Sequence, residues 1–297
     1  MNHSTVKSFT FGIGLFFTLP LVYGNSSSPS SSDGTLYINK SKTHKVAPVK
    51  YGFHYEEIGM MGEGALHAEL IRNRSFEEAT PPAGLSVKNG LYENVPAPRV
   101  KEKKVFQADP LIGWTTYPLS YTPVFISRTD ENPMSGENKY SMLVNVTEDI
   151  ANHPDALILN RGYYGMNLKT DTSYRLSLFL KNRNYSAPLR VFLVDEWGQR
   201  VSNVIEVNVG NRDWTKYTGE LKPEKNVRRG MFAIQPMSKG QFQIDVVSLF
   251  PSDTWNDGKS VFRKDIVQNL KEFSPSFIRF PGGCIVHGVK DRKSTRL

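Results

Sequence analysis

Cysteine is almost missing from this chain: Cys284 is the only one among 297 residues. A disulfide within the chain is therefore excluded, and stability has to come from buried apolar surface. Long apolar runs are scarce too. The one candidate, Phe9 to Val22, falls short of the ~20 residues that a spanning helix needs, and Gly12, Gly14 and Pro20 interrupt it. A weakly basic start (His3, Lys7) precedes it and Gly24 closes it before a polar stretch, so residues 1–24 read as a cleavable signal peptide. The chain is expected to be secreted or periplasmic, with no stable membrane anchor. Zinc-type ligand spacing, aromatic RNA-binding motifs and basic helices are missing as well. The formal charge of +8 then reads as a solvated basic surface rather than a nucleic-acid footprint, and nucleic acid is not an expected partner. Attraction to acidic polysaccharides stays compatible with it.

What is present is a globular composition, 39% hydrophobic and 11% aromatic, enough for one or two packed domains. Residues 25–34, NSSSPSSSDG, form a Ser-rich linker with nothing to bury. Across residues 35–80 a short strand, TLYINKSK, and a second, VKYGFHYEEIG, lead through Gly59, Gly62 and Gly64 into ALHAELIRNRSFEE, where Leu66, Leu70 and Ile71 recur at helical spacing. That is a βα unit. From residue 81 to 252 prolines punctuate short alternating or β-branched runs: KYSMLVNVT, SYRLSLFLKN, PLRVFLVDEW, SNVIEVNVG, DWTKYTGEL, RGMFAIQPM and GQFQIDVVSLF. Strands at such intervals argue for an antiparallel β-sandwich of jelly-roll type, with a closed barrel as the alternative. Residues 253–297 return to β/α rhythm. Asp253 or Asp257 can cap a helix with Val261, Phe262, Ile266, Leu270 and Phe273 on its apolar face, Ser274-Pro275 ends it, and SFIRF follows as a strand running into PGGC. The fold class expected is α/β plus all-β: an incomplete (β/α)8 barrel interrupted by an inserted antiparallel β-sandwich.

In such a barrel functional residues sit at the C-terminal ends of strands. Glu56 and Glu57 end the first strand and Arg279 to Cys284 end the second. Adjacent strand residues face opposite ways, so only one of the two glutamates can face the barrel mouth. A carboxylate there can accept hydrogen bonds from two sugar hydroxyls, or can simply pair with Arg72, Arg74 or Arg279. Pro281-Gly282-Gly283 permits close approach of a ligand to the main chain, or is only a turn. Cys284 reads as a packing residue, since His287 is the only base near it in sequence. In the sandwich, Trp114, Tyr117, Tyr163, Tyr164, Trp197 and Trp214 supply either core or a stacking platform for sugar rings. Tyr163 and Tyr164 are the binding candidates, because one of two adjacent strand residues must face outward. No cofactor is expected. Glu77 and Asp245 are the candidates for a structural Ca²⁺, the alternative being ordinary surface carboxylates.

Three stretches in order, YGFHYEEIGMMGEGALHAELIRNRSFEE, IDVVSLFPSDTW and FSPSFIRFPGGCIVHG, resemble the retaining α-L-arabinofuranosidases of glycoside hydrolase family 51. The region between them is similar to the carbohydrate-binding-like jelly roll that some members carry as an insertion. The resemblance implies that Glu56 hydrogen-bonds the arabinofuranosyl ring, that Cys284 lines the same subsite, and that Arg279 lies in the strand beneath and orients the neighbouring acid. It implies arabinose-containing plant polysaccharides as substrates. His287 departs from the family pattern, which has an acidic residue there. A larger departure concerns catalysis. Both glutamates that act in the family, the general acid/base and the nucleophile, lie on later strands, and no position here matches either. Retention needs two carboxyl groups about 5–5.5 Å apart across the scissile bond, and Glu56 and Glu57 diverge. With only residues 51–80 and 253–297 available against the ~250 of a full barrel, the barrel is expected not to close and this chain not to turn over substrate alone. The alternative function is a noncatalytic carbohydrate-binding protein built on the sandwich.

Overall fold

The computed structural model describes residues 41, 51–56, 60–78, 85–88, 91–94, 105–107 and 109–280. The signal-peptide and linker readings, Glu57, the PGG turn, Cys284 and His287 lie outside the described residues. The chain divides into two compact units, Met1–Ala47 and Pro48–Leu297, and every element below belongs to the second. Its strands are β1 (Phe53–His54), β2 (Leu85–Lys88), β3 (Leu91–Asn94), β4 (Val105–Gln107), β5 (Trp114–Tyr117), β6 (Val124–Thr129), β7 (Ser141–Val146) and β8 (Leu157–Asn160). Then follow β9 (Met166–Leu168), β10 (Tyr174–Asn182), β11 (Pro188–Val194), β12 (Ile205–Asn208), β13 (Thr215–Leu221), β14 (Val227–Gln235), β15 (Gly240–Pro251), α1 (Lys264–Glu272) and β16 (Ile278–Arg279).

Two antiparallel sheets share one core. The first has the order β13-β10-β15-β7-β6, the second β12-β11-β14-β8-β5 with β9 added on β14. Strict alternation builds the first: along β10, Tyr174, Leu176, Leu178 and Leu180 are buried while the residues between them face out. Val144, Phe242, Ile244 and Leu249 join them from β7 and β15, and Ile158, Val191, Leu193, Phe232 and Ile234 meet them from the second sheet. Each fully buried side chain of this kind contributes about 1.5–3 kcal/mol. The second sheet departs from alternation. Leu157, Leu159, Phe192, Val194, Met231 and Ala233 form a separate buried cluster on its other face, with Tyr117 and Val204 packed against it. This is why PLRVFLV and MFAIQ read as nearly continuous apolar runs.

All the strand-like runs named from sequence between residues 139 and 250 become strands. The helix over ALHAELIRNRSFEE does not form. A π-helical turn at Gly62–Leu66 gives way to irregular backbone, and Ala68, Ile71 and Phe76 are buried, the latter two in the sandwich core. Tertiary bonding overrides helix propensity here. The Glu69 carboxylate accepts from the N–H groups of Ile71 (3.0 Å) and Leu249 (2.8 Å) and from the Ser248 hydroxyl (2.6 Å). Asn160, wholly buried, grips Arg72 like a paired strand: its Oδ1 accepts from Arg72 N–H (3.3 Å) and its Nδ2 donates to the Arg72 carbonyl (3.0 Å). Asn73 and Phe76 take positive φ, 52° and 56°, which no helix allows.

The second expected helix is shorter than its sequence pattern. It starts at Lys264 with no side-chain cap, so Asp253 and Asp257 cap nothing. Val261 and Phe262 instead run alongside residues 66–68, with Ala68 N–H on the Val261 carbonyl (2.8 Å), Arg263 N–H on the Leu66 carbonyl (2.9 Å) and a bridge from His67 to Phe262. Among the described residues no closed barrel is formed; β1 and β16 make a two-stranded parallel pair.

Candidate functional site

The pairing of β1 with β16 joins two motifs more than 220 residues apart. Phe53 is in register with Ile278 and His54 with Arg279, and the ladder continues through Tyr55 N–H on the Arg279 carbonyl (2.9 Å). Gly52 allows this closeness: a Cβ there would stand 2.5 Å from the Phe277 carbonyl oxygen and 2.6 Å from its ring. Phe53 packs edge-on against Phe273 at 5.7 Å, and Tyr55 stacks on Phe280 at 5.9 Å. Glu56 thus leaves the C-terminal end of β1 half-buried, beside the end of the strand that carries Arg279, whose side chain is exposed. The parallel pairing sets the ends of the two strands side by side.

Tyr163 and Tyr164 are not strand residues. They sit in the turn between β8 and β9, and their contrast in exposure comes from what that turn packs against. The Tyr163 ring lies over Gly64 so closely that a Cβ on the glycine would be 3.0 Å from it. The Arg72 guanidinium sits 5.8 Å from the ring centroid while it forks onto Glu78 (3.0 and 3.2 Å). Burial, and then the charges of Glu63, Glu78 and Glu69, push the Tyr163 hydroxyl well above the ordinary tyrosine range, so it stays protonated. Tyr164 next to it is 80% exposed. The sequence offered Arg72 only as an ion-pair partner for the glutamates ending β1; the expected helix hid its fork onto Glu78 and its approach to the Tyr163 ring.

The remaining aromatics divide by contact. Trp114 is core, its ring tilted on Phe76 at 5.6 Å and its Nε1 donating to the Asn73 carbonyl (3.2 Å). Trp214 donates to the Asn132 carbonyl (3.0 Å). Trp197 stands out at 73% exposure on a turn held by Asp195, whose Oδ1 accepts from Trp197 and Gln199 N–H (3.1 and 2.9 Å) and whose Oδ2 meets Lys225 (3.1 Å).

Glu77 and Asp245 are not surface carboxylates: both are buried. Asp245 sits where β15 breaks register with β10, followed by Val246 at φ 44°. Its Oδ1 accepts from Val246 N–H (2.7 Å), but its Oδ2 has no hydrogen-bond partner. Burial pushes the Asp245 carboxyl up to about 7, with the Glu77 charge adding to the rise. Glu77 accepts from Lys139 N–H (2.6 Å) and Tyr140 N–H (3.0 Å). Among the described residues no group of three or more His, Cys, Asp or Glu side chains could hold a metal ion. No helix among them is long and apolar enough to cross a membrane.

No family model matches the chain. It is 27% identical over 243 residues to "Alpha-L-arabinofuranosidase 1" of Arabidopsis thaliana, across 80% of this chain and 32% of that protein. It is 26% identical over 239 residues to an extracellular exo-α-L-arabinofuranosidase of Streptomyces chartreusis, across 80% of this chain and 24% of the other. A solved, arabinose-bound GH51 α-L-arabinofuranosidase superposes with a TM-score of 0.61 at 24% identity over 82% of this chain and 36% of that one, which speaks to the fold. The resemblance read from three motifs therefore extends over most of the chain, and the relatives that share it are named as hydrolases. The chain spans 24% to 32% of the length of these curated relatives.

Proposed function

We propose that this chain carries the sugar-gripping part of a secreted α-L-arabinofuranosidase that releases arabinofuranosyl residues from arabinose-containing plant polysaccharides with retention. The observation that carries the reading is the parallel pairing of β1 with β16, which brings Glu56 and Arg279 to adjoining strand ends where a β/α barrel would hold its substrate. In this reading Glu56 accepts hydrogen bonds from ring hydroxyls of the terminal arabinofuranose, a charge-assisted and directional contact, Arg279 orients it from the neighbouring strand, and Cys284 lines the same subsite. The stretches flanking residues 81–252 belong to the barrel in this reading, and residues 81–252 to an inserted jelly roll whose core also takes Ile71 and Phe76 from the segment before it. The acid/base and nucleophile carboxyl groups, which retention needs about 5–5.5 Å apart, are not among the groups we assign to this chain. The purified 297-residue chain is accordingly expected to bind L-arabinose, to lose that binding in Glu56→Gln, and to release no detectable 4-nitrophenol from its α-L-arabinofuranoside. Turnover by the chain alone, or arabinose binding indifferent to Glu56, would remove the corresponding half of the reading.

One further group fits. The wholly buried Asp245 with a partnerless oxygen, and Glu77 whose charge it feels, suit a hard oxygen-seeking cation such as Ca²⁺ completed by main-chain carbonyls and water. Its role would be structural, tying the register break of β15 to the segment that carries Glu77. A second reading, a noncatalytic carbohydrate-binding protein, is favoured by the outward Tyr164 on the sandwich.

A further inference from the structure

The turn that carries Tyr164 is fixed to the segment that leaves β1. Gly162, at φ 61°, approaches Leu70 so closely that a Cβ would sit 2.7 Å from its carbonyl oxygen, and Gly162 N–H donates to the same Asn160 Oδ1 that accepts from Arg72 (2.9 Å). Gly165 N–H closes the turn on the Arg161 carbonyl (3.0 Å). Tyr163 lies on Gly64, eight residues after Glu56, within the loop that follows the C-terminal end of β1. In a β/α barrel that end is the face where substrate binds. The sandwich therefore lays one turn on the segment that follows β1, with Tyr163 half-buried as the anchor and Tyr164 left in solvent.

We propose that Tyr164 is a rim residue of that face, where its ring takes the second sugar unit of an arabinose-containing oligosaccharide, across the scissile bond from the ring gripped by Glu56. This rests on the reading given under Proposed function and makes the two aromatic and acidic candidates parts of a single extended site. A tyrosine on a turn pinned at both ends has little freedom left to lose on binding, and its flat apolar ring with a polar tip suits the C–H face and hydroxyl edge of a sugar. Tyr163 contributes position only.

The test compares L-arabinose with α-1,5-L-arabinotriose by titration calorimetry on the 297-residue chain, using the unmodified protein, Tyr164→Ala, Trp197→Ala and Glu56→Gln. The thermal unfolding of each variant is checked first. Tyr164→Ala is expected to weaken the trisaccharide about fivefold while leaving arabinose unchanged, since an aromatic contact of this size is worth about 1 kcal/mol. Trp197→Ala, an equally exposed aromatic on another turn, is expected to change neither. Equal trisaccharide affinity in Tyr164→Ala and the unmodified chain overturns the inference, as does the absence of trisaccharide binding by the unmodified chain or a loss found in Trp197→Ala instead. If Glu56→Gln leaves both sugars unaffected while Tyr164→Ala weakens the trisaccharide, the sandwich binds glycan by itself. The Glu56 reading fails in that case, and the shared site fails with it.

Discussion

Asp245 shows how far a single residue can be read and where the reading stops. Its place inside a strand-like run was legible, and the sequence offered it with Glu77 as oxygen donors for a cation or as ordinary surface carboxylates. Its burial was not, because nothing local in QIDVVS tells that β15 slips against β10 at this residue and turns the carboxylate inward. Burying an ionised carboxylate with one oxygen left unpartnered is costly, and burial moves its pKa up to about 7. A bound divalent cation removes that cost. We therefore expect millimolar CaCl₂, compared with EDTA at pH 8, to raise the unfolding midpoint by about 5 °C or more. Asp245→Asn is expected to abolish the response while holding the midpoint in EDTA at or above that of the unmodified chain. Identical melting curves with and without calcium would rule out the cation. Tyr163 makes the same point from the other side. Read as strand neighbours, one of the two tyrosines was expected to face outward; they lie in a turn instead, and the contacts with Gly64 and Arg72 leave Tyr163 half-buried and Tyr164 exposed.

At the scale of elements, alternation sufficed for β7, β10 and β13, whose inward residues are the ones spacing selects, while β11, β14 and β15 showed as apolar or β-branched runs without a clean inward set. Shorter strands such as β5 and β8, four residues each, carry too little pattern to stand out, and β8 is buried along its whole length. The segment from Ala65 to Glu78 misleads for a definite reason. Its side chains favour a helix, but its backbone N–H groups are taken by Glu69, Asn160 and Asn73, partners that the sequence offers at distances of two to 88 residues. For β1 and β16 the local signal was good and the joint between them depends on one glycine. Gly52→Ala forces a methyl group into the Phe277 backbone and ring, an overpacking costing about 1–3 kcal/mol. Hydrogen exchange at the Phe53 and Tyr55 amides, which donate to Phe277 and Arg279, is expected to accelerate in this variant while the amides of β10 keep their protection. Unchanged exchange at those two amides would mean that the pair does not depend on close approach at residue 52.

For the whole molecule, the sandwich is larger than its composition boundary. A change in texture near residue 80 marks where prolines begin, yet Ile71 and Phe76 are fully buried in the sandwich core, and Glu69 and Glu77 hold backbone amides from strands and loops beyond that point. A piece comprising residues 60–252 is expected to unfold in a single cooperative transition. A piece starting at residue 81 lacks these side chains, and Phe76→Ala in the longer piece reports their worth: loss of a core phenylalanine costs about 3–5 kcal/mol. Equal stability of the two pieces in urea would show that residues 60–80 only decorate the sandwich.

The chain enters this unit and leaves it along one seam, with Leu70 N–H on the Leu249 carbonyl (3.1 Å) and Val247 N–H on the Arg74 carbonyl (2.9 Å). The span between Arg74 and Val247 thus begins and ends at one place. Where the sandwich is read as an inserted domain, ends that touch in this way let such a unit be gained, lost or exchanged with little displacement of the strands on either side of it.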